Sequence, residues 1–314
     1  MLARIESISR DTDWVKVLRL VGAEGFALPS HEPGSHVTFL INVAEGKKIK
    51  RSYSIFSSPA ERGVYKVAVQ REPNGKGGST FIHDHFRVGD VVELEGPRNF
   101  FRVDPEGTDN ILIAGGIGIT PILCMAREMQ TNNIKYHLHF AGRKPELMPL
   151  KNEVQRACRS VSLWFDDGIV GKGLNIESVI DVWCPGKHVY VCGPAGLISA
   201  VQKTSKNRGW PDNNVHFESF TAVQNEQFSL AVELSRTGRT LIVAPDQTIL
   251  EALLAAGIAV DYDCGVGECG SCVTKVLDGT AIHKDVCLSS RDKQNGDFCP
   301  CVSWAQTSKL VLDL

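Results

Sequence analysis

The stretch Asp263-Cys-Gly-Val-Gly-Glu-Cys-Gly-Ser-Cys272 decides the fold of the C-terminal third of the chain. Its three cysteines, Cys264, Cys269 and Cys272, are followed at a distance by Cys301, which gives the C-x4-C-x2-C…C spacing of a plant-type 2Fe-2S centre. Two irons bridged by two sulfides need four thiolates, and a tight loop can supply three of them. The glycines of the loop let main-chain N–H groups approach a negatively charged cluster without clashes from Cβ atoms. The spacing therefore predicts a 2Fe-2S site.

Zinc and disulfide bonds are the alternatives for these cysteines. Zinc ribbons favour two C-x2-C pairs, and the sequence has one close pair of that kind, Cys269 and Cys272. The first ten residues lack an apolar signal core, so we expect a cytoplasmic protein whose ten cysteines stay as thiols or bind metal. The fourth ligand is open between Cys299 and Cys301, with Cys287 as a more remote choice. We favour Cys301, because the apolar end of the chain can anchor it.

Composition and charge set limits on the function. A chain of 314 residues with 43% hydrophobic and 22% charged residues fits two or three globular domains. The longest apolar run, Ile111–Ala126, contains three glycines and a proline and is shorter than the ~20 residues of a membrane span, so no membrane anchor is expected. From Ala222 onward there are 12 acidic and 7 basic residues. This acidic part favours a partner with a basic surface, or is merely solvated, and argues against nucleic-acid binding.

Hydrophobic patterning divides the chain into three segments. Short apolar or alternating runs in the first hundred residues predict a small antiparallel barrel. From about Asp109, units of strand, turn and helix predict a doubly wound parallel α/β domain. After the polar stretch Thr221–Gln227, a hairpin and a helix lead into the cysteine loop, as in a small ferredoxin module. The predicted strands are 14–20, 36–43, 64–70, 90–95, 110–114, 136–140, 188–192, 228–234 and 240–244, and the predicted helices are 122–130 and 249–256.

A glycine-rich turn at Gly115, Gly116 and Gly118 joins a strand to a helix. Bare backbone and a helix N-terminus at this place favour a phosphate, although Pro121 replaces the third glycine of the G-x-G-x-x-G fingerprint. A simple packing turn is the alternative. The run Cys192-Gly-Pro also follows a strand, and ligands of open α/β sheets bind at these strand ends, so we predict a nucleotide crevice.

Two further motifs in the barrel segment suit an anionic ring compound. Arg51-Ser-Tyr-Ser54 offers a guanidinium fork for phosphate, a tyrosine that can lie against a planar ring and a serine that can hydrogen-bond it. Gly77-Gly-Ser-Thr80 offers unobstructed N–H groups and two hydroxyls. A core tyrosine and a glycine-rich hairpin are the alternatives. Arg143, after the second α/β strand, can read a 2′-phosphate, stack on adenine or be solvated.

These motifs, in this order and over essentially the whole chain, resemble the phthalate dioxygenase reductase family, which includes vanillate O-demethylase reductases. The motifs are Arg51-Ser-Tyr-Ser, Gly77-Gly-Ser, Gly115-Gly-Ile-Gly-Ile-Thr-Pro, Cys192-Gly-Pro, Phe217-Glu-Ser-Phe and the cysteine loop. The resemblance implies three domains: an FMN-binding β-barrel of the ferredoxin reductase type at 1–103, a doubly wound NAD-binding domain at 104–221, and a β-grasp plant-type ferredoxin domain at 222–314. It also implies a terminal Rieske-type oxygenase as the protein electron acceptor.

The resemblance assigns roles to residues. It implies that FMN is bound by Arg51, Ser52, Tyr53, Ser54, Ala68, Val69, Gly77, Gly78, Ser79 and Thr80. It implies that NADH is bound by Gly115, Gly116, Gly118, Thr120, Arg143, Cys192 and Gly193. It places Ser54, Cys192, Glu218 and Phe220 beside the reacting rings, and the distal cluster ligand at Cys301. Trp304 stands where relatives often carry a basic residue, so we expect a different partner-docking surface near the cluster.

The implied electron route explains why three cofactors occur together. A nicotinamide gives two electrons as hydride and a 2Fe-2S cluster takes one, so a flavin must convert between them. We therefore expect hydride transfer to the flavin and single-electron steps to the cluster, with no side chain acting as acid or nucleophile. Cys192 would pack against the nicotinamide. A stand-alone NADH:acceptor reductase and a redox-sensing cluster protein are the alternatives.

Overall fold

The computed structural model describes residues 1–44, 47–75, 77–169, 171–220, 228–245 and 247–314. These residues form two compact units, Met1–Glu218 and Ser219–Leu314. Within the described part of the chain, no helix is long and apolar enough to cross a membrane. The predicted polar stretch Thr221–Gln227 lies outside the described residues, and so does the predicted domain boundary between 221 and 222.

The first part of the first unit is an antiparallel barrel, as the sequence predicted. Its strands follow the order β4-β3-β6-β1-β2-β5, and a bridge between Ile55 and Val67 joins the two outer strands. Alternate side chains such as Leu18 and Leu20 are fully buried, which is the period-two pattern of a strand with one core face. The elements are β1 (Leu2–Arg10), β2 (Val15–Gly22), β3 (Ser35–Ala44), β4 (Lys47–Ser54), β5 (Val64–Gln70), α1 (Gly78–His85) and β6 (Val91–Asn99).

The second part of the first unit is a doubly wound parallel sheet, which confirms the α/β prediction. The strand order is β11-β10-β7-β8-β9, and every pair is parallel. Helices α2 and α3 pack on one face of the sheet, and α4 and α5 pack on the other. The elements are β7 (Asp109–Gly115), α2 (Ile119–Thr131), β8 (Lys135–Gly142), α3 (Lys151–Ala157), β9 (Val161–Phe165), α4 (Ile176–Val179), β10 (Lys187–Cys192), α5 (Ala195–Asn207) and β11 (Val215–Glu218).

The order of this sheet determines where a ligand binds. The chain runs outward from β7 in both directions, to β8 on one side and to β10 on the other. Open α/β sheets bind ligands at such a switch point, in the crevice at the carboxyl ends of the strands. The turns that follow β7 and β10 therefore border the expected crevice.

A shared core holds the barrel against this sheet. Phe56 and Phe101 of the barrel are buried in the same cluster as Ile119 and Leu123 of α2. In addition, the Sγ of Cys124 donates to the carbonyl of Ser57 at 3.2 Å. The end of β4 and the start of α2 are therefore parts of one packed region.

The second unit has the β-grasp ferredoxin fold that was predicted. Its main sheet has the order β13-β12-β18-β14-β16, in which β12 and β18 are parallel. Helix α6 begins with a capping box between Thr248 and Glu251, which explains its sharp start. The elements are β12 (Leu230–Leu234), β13 (Thr240–Val243), α6 (Ile249–Ala255), β14 (Thr274–Asp278), β15 (Ala281–Ile282), α7 (Ser290–Gln294), β16 (Asp297–Phe298), β17 (Trp304–Ala305) and β18 (Lys309–Leu312).

The expectation for Trp304 was wrong. Its side chain has 0% exposure and lies in the core of the second unit with Leu310 and Phe298. A fully buried indole does not form part of a docking surface. Trp304 therefore contributes to the packing of the second unit.

Candidate flavin, nucleotide and iron–sulfur sites

The Arg-Ser-Tyr-Ser motif occupies the end of strand β4. Arg51 and Tyr53 lie on one side of the strand and Ser52 and Ser54 on the other, because side chains alternate along a strand. The ring of Tyr53 packs edge-on against Phe39 with centroids 5.6 Å apart, and burial raises the pKa of its hydroxyl above its usual range. Ser54 is buried, whereas Ser52 is exposed. The fold therefore fixes the aromatic ring and one serine at the strand end.

Ala68 and Val69 lie on β5, next to the bridge that links this strand to the end of β4. Both side chains are buried, at 4% and 0% exposure, so main-chain groups are what they offer to a ligand. The carbonyl of Val69 accepts a 2.8 Å hydrogen bond from Nε2 of His83 on α1. This bond places α1 against the edge of β5.

The glycine motif forms the start of helix α1 and not a hairpin. Gly77 is the N-cap with φ of +81°, a left-handed conformation that favours glycine. A Cβ on Gly78 would lie 2.5 Å from Nε of Arg51, so the arginine side chain passes directly over this helix start. A guanidinium beside the unpaired N–H groups of a helix N-terminus fits the phosphate of a flavin.

The two hydroxyls of this motif have partners within the protein. Oγ of Ser79 accepts from the N–H of Glu72 at 3.0 Å, and Oγ1 of Thr80 donates to the Glu72 carbonyl at 3.4 Å. They therefore hold the preceding loop against α1. The main-chain N–H groups and Arg51 remain the principal candidates for an anion.

The two turns of the nucleotide crevice are in direct contact. A Cβ on Gly118 would lie 2.3 Å from the carbonyl oxygen of Cys192, and one on Gly115 would lie 2.7 Å from Cδ of Pro194. A Cβ on Gly193 would lie 3.0 Å from the backbone of Gly115. Close packing between the two turns therefore requires these three glycines. This is what the simple packing turn, the alternative to a phosphate site, predicted. The same packing brings both motifs to one edge of the sheet.

The other predicted nucleotide ligands differ in accessibility. Gly116 has φ of +55°, and a Cβ there would meet nothing within 4 Å, so this glycine is open to a ligand. Thr120 is buried, and its hydroxyl donates to the Ile117 carbonyl at 3.0 Å. Arg143 is exposed just beyond β8, and its carbonyl accepts from the N–H of Asp167 at 2.8 Å.

Cys192 and Glu218 are neighbours at the carboxyl ends of β10 and β11. They are paired in the parallel ladder, and Sγ of Cys192 lies 4.0 Å from Oε2 of Glu218. Both residues are buried, at 0% and 5% exposure. Phe220 belongs to the second unit and is 42% exposed. A buried thiol and carboxyl beside the glycine turns fit the nicotinamide end of the crevice.

The cysteine loop of the second unit directs N–H groups at its own sulfurs. The N–H groups of Val266 and Cys269 each lie 3.4 Å from Sγ of Cys264, and the N–H of Ser271 lies 3.4 Å from Sγ of Cys269. Gly265, Gly267 and Gly270 all have positive φ, between +69° and +79°. This donor-lined set of thiols fits a net-negative 2Fe-2S cluster.

Cys301 lies against this loop. Its sulfur is close to the backbone of Gly267 and to the side chains of Cys272 and Cys264. Hydrogen bonds from Cys299 and Cys301 lower the pKa of the Cys272 thiol to about 3. Cys299 therefore also touches Cys272, but it has a second sulfur neighbour, Cys287, at 3.5 Å. Its link to the loop backbone makes Cys301 the better candidate for the fourth ligand.

The side chains of Cys264 and Cys269 are hydrogen-bonded to each other. A hydrogen bond from Cys264 lowers the pKa of Cys269 to about 5, and the same bond raises the pKa of Cys264 above its usual range. Thiolates bind iron, so the lowered pKa of Cys269 favours iron binding by this one thiol.

Sequence reasoning missed several residues that support these sites. Burial raises the pKa of Glu268, inside the cysteine loop, to about 7, and its Oε1 accepts from the N–H of Ser219 at 2.7 Å. The buried carboxylate of Asp285 accepts from Oγ of Ser303 at 2.9 Å and lies 3.2 Å from Nζ of Lys293. The local sequence carries no signal for these contacts, because each depends on tertiary packing.

Comparisons with known proteins agree with this geometry. An oxidoreductase FAD-binding domain model matches residues 1–102, and a 2Fe-2S iron-sulfur cluster binding domain model matches residues 232–306. The chain is 38% identical to the vanillate O-demethylase oxidoreductase of Pseudomonas sp. (strain HR199 / DSM 7063), over 95% of this chain and 94% of that protein. It is 37% identical to the phthalate dioxygenase reductase of Burkholderia cepacia, over 100% of this chain and 96% of that protein.

A solved structure extends the likeness to three dimensions. The structure of a phthalate dioxygenase reductase superposes with a TM-score of 0.80 and 35% identity, over 100% of this chain and 98% of that chain. Fold and sites together define an oxidoreductase that passes electrons through a flavin to a 2Fe-2S cluster. The chain belongs to the phthalate dioxygenase reductase family, whose members are reductase components of oxygenase systems.

Proposed function

We propose that this protein carries electrons from NADH through FMN and its 2Fe-2S cluster to a terminal Rieske-type oxygenase. The observation that carries the proposal is the shared core of the first unit, which holds the end of β4 against the start of α2. The flavin motif ends in Ser54, two residues before Phe56, and the glycine turn ends at Gly118, next to Ile119. Phe56 and Ile119 lie in the same buried cluster, so the two candidate sites adjoin.

The residues of the first unit have distinct roles in this proposal. Arg51 and the start of α1 hold the flavin phosphate, while Tyr53 and Ser54 fix the ring system next to the main chain of Ala68 and Val69. FMN, and not FAD, follows from the family resemblance. When bound, the flavin supplies the conversion between a two-electron hydride and single electrons.

The residues of the nucleotide crevice bind and orient the nicotinamide nucleotide. Gly116 lets the pyrophosphate approach the backbone at the start of α2, since nothing lies where its Cβ would be. Cys192 and Glu218 exclude water beside the nicotinamide, because both are buried. We propose the boundaries 1–103, 104–221 and 222–314 for the three domains. The choice of NADH over NADPH follows from the family resemblance.

The partner follows from charge and from the relatives. The acidic segment from Ala222 onward suits a basic docking surface on an oxygenase. The two relatives are named for vanillate and phthalate, so an aromatic acid or its methyl ether is the substrate class that we propose for the partner. We place the protein in the cytoplasm, where ligand thiols stay reduced.

An anaerobic titration tests this function. The purified protein is titrated with NADH and separately with NADPH while flavin and cluster absorbance are followed, and the released flavin is identified by mass spectrometry. We expect NADH to bleach both chromophores at much lower concentration than NADPH, and we expect FMN to be released. Release of FAD, or bleaching by NADPH at equal concentration, would contradict the cofactor assignment. Failure of both nucleotides would contradict the electron route.

A further inference from the structure

Cys287 and Cys299, which the choice of Cys301 as fourth ligand leaves without an assigned role, lie together beside the cluster loop. The Sγ atoms of Cys287 and Cys299 are 3.5 Å apart, which is van der Waals contact between two thiols. Cys299 has 0% exposure, whereas Cys287 is partly exposed. An oxidant can therefore reach the pair through Cys287, and its partner is already in place behind it.

The backbone attaches each member of the pair to a different part of the cluster site. The N–H groups of Val286 and Cys287 donate to the Gly267 carbonyl at 3.0 and 3.3 Å, so Cys287 is fixed to the loop that carries three ligands. The Cys299 carbonyl accepts from the N–H groups of Val302 and Ser303 at 3.2 and 3.0 Å. These bonds form the turn that contains the fourth candidate ligand. The two sulfurs thus meet between the two halves of the ligand set.

We propose that Cys287 and Cys299 are an oxidative modification site that closes to a disulfide when hydrogen peroxide reaches it. The sulfur of Cys287 attacks one peroxide oxygen, the O–O bond breaks, one water leaves, and Cys287 becomes a sulfenic acid. The sulfur of Cys299 then attacks the sulfur of Cys287, the S–O bond breaks, and a second water leaves. Two thiols are oxidised by two electrons in total, and one peroxide is reduced to two waters.

The position of this bond determines its effect. It links the segment fixed to the cysteine loop with the turn that holds Cys301, so both halves of the ligand set are tied together. A covalent link between two loops restricts their separation. The oxidised protein therefore releases iron to a chelator more slowly than the reduced protein. This inference depends on the position of the cluster site and not on the identity of flavin, nucleotide or partner.

Peptide mapping of the intact holoprotein tests the proposal. The protein is exposed to hydrogen peroxide, free thiols are alkylated, and the digest is sequenced by mass spectrometry. We expect a cross-linked pair of peptides containing Cys287 and Cys299, two hydrogens lighter than the sum of the free peptides, that separates after dithiothreitol. The cross-link should be absent from Cys287→Ser and should persist in Cys184→Ser, which removes an exposed cysteine of the other unit. Cluster absorbance should be retained when the bond forms.

A chelator assay gives a second readout that does not require a variant. We expect iron release to EDTA from peroxide-treated wild type to be several-fold slower than from the dithiothreitol-reduced sample. Three results would overturn the proposal. In the first, both thiols are still alkylated after peroxide has already destroyed the cluster. In the second, Cys287 carries an irreversible sulfinic acid while Cys299 is still free. In the third, the protein holds a stoichiometric zinc ion that is lost in Cys287→Ser. The last result would make these two sulfurs and Asp285, which lie within 4.8 Å of one another, a metal site.

Discussion

Nη1 of Arg127, on helix α2, donates a 2.6 Å hydrogen bond to the carbonyl of Phe56, two residues beyond the flavin motif. The same guanidinium donates through Nη2 to Oε1 of Glu153 on α3 at 2.5 Å. One side chain thus links the flavin-binding strand end to two helices of the nucleotide-binding sheet. The relative position of the proposed flavin and nicotinamide sites therefore depends on Arg127.

Arg127→Met should loosen this link. We expect a loss of about 1–3 kcal/mol in the free energy of unfolding of the first unit, because a charged hydrogen bond to a carbonyl and an ion pair are both removed. Bleaching of the flavin by NADH should also slow, whereas the visible spectrum of the cluster should not change. Chemical denaturation and stopped-flow absorbance measure these effects. Arg156→Met, an exposed arginine on α3, is the matched control, and equal behaviour of the two variants would contradict the role of Arg127.

Gly118→Ala should disrupt the contact between the two nucleotide turns. Its Cβ would lie 2.3 Å from the main-chain oxygen of Cys192, and no side-chain rotation relieves such a clash. We expect at least tenfold weaker NADH binding, equivalent to about 1.4 kcal/mol. Gly196→Ala, in the first turn of α5, meets nothing within 4 Å and should bind NADH normally. Unchanged binding by the Gly118 variant, in the flavin-loaded protein, would argue against this packing.

Cys301→Ser and Cys299→Ser should differ in cluster content. The sulfur of Cys301 lies close to the backbone of Gly267 in the cysteine loop, whereas that of Cys299 contacts Cys287. We therefore expect the Cys301 variant to lose most of its iron and visible absorbance and the Cys299 variant to keep both. Iron and acid-labile sulfide analysis measures the cluster content of the two variants. The reverse pattern would transfer the fourth ligand to Cys299.

His216 should make the stability of the first unit depend on pH. Burial lowers its pKa to about 4, from the ~6.5 of an unfolded chain, and His188 adds to the shift while Asp104 opposes it. Between these values the unfolded chain binds more protons, so stability falls as the pH drops from about 6.5 to about 4. In His216→Asn we expect the loss between pH 8 and pH 5 to be smaller by about 1 kcal/mol, after allowance for partial exposure. Urea denaturation at pH 8 and at pH 5 measures the difference, and equal losses in both proteins would refute it.

The sequence was sufficient to predict those elements whose apolar pattern directly reflects which residues are buried. Strand β5 was predicted with its observed bounds, Val64–Gln70, and β7 was recognised from a run of residues that are buried on both faces. Strand β1, Leu2–Arg10, was missed because only Ala3 and Ile5 are buried along it. Helix α1 was also missed. Its Gly-Gly start lies against the side chain of Arg51, which is distant in sequence.

The prediction of the sites was limited in the same way, because some site residues depend on contacts that are distant in sequence. The spacing of Cys264, Cys269 and Cys272 predicts a 2Fe-2S centre, because all three ligands come from one loop. The fourth position could not be settled from local sequence, since the preference for Cys301 over Cys299 depends on contacts with Gly267. Trp304 was misjudged for a related reason, because sequence does not reveal on which side of a two-residue strand a side chain lies.

The most direct test of the electron route is anaerobic stopped-flow mixing of the full-length protein with NADH. The wild type should show fast bleaching of the flavin followed by bleaching of the cluster, together with steady reduction of cytochrome c. The variant Cys269→Ser should keep the first phase and the reduction of ferricyanide, and should lose the second phase and the reduction of cytochrome c. If cytochrome c reduction survives without the cluster, or if the cluster bleaches before the flavin, the proposed order of the redox centres is wrong.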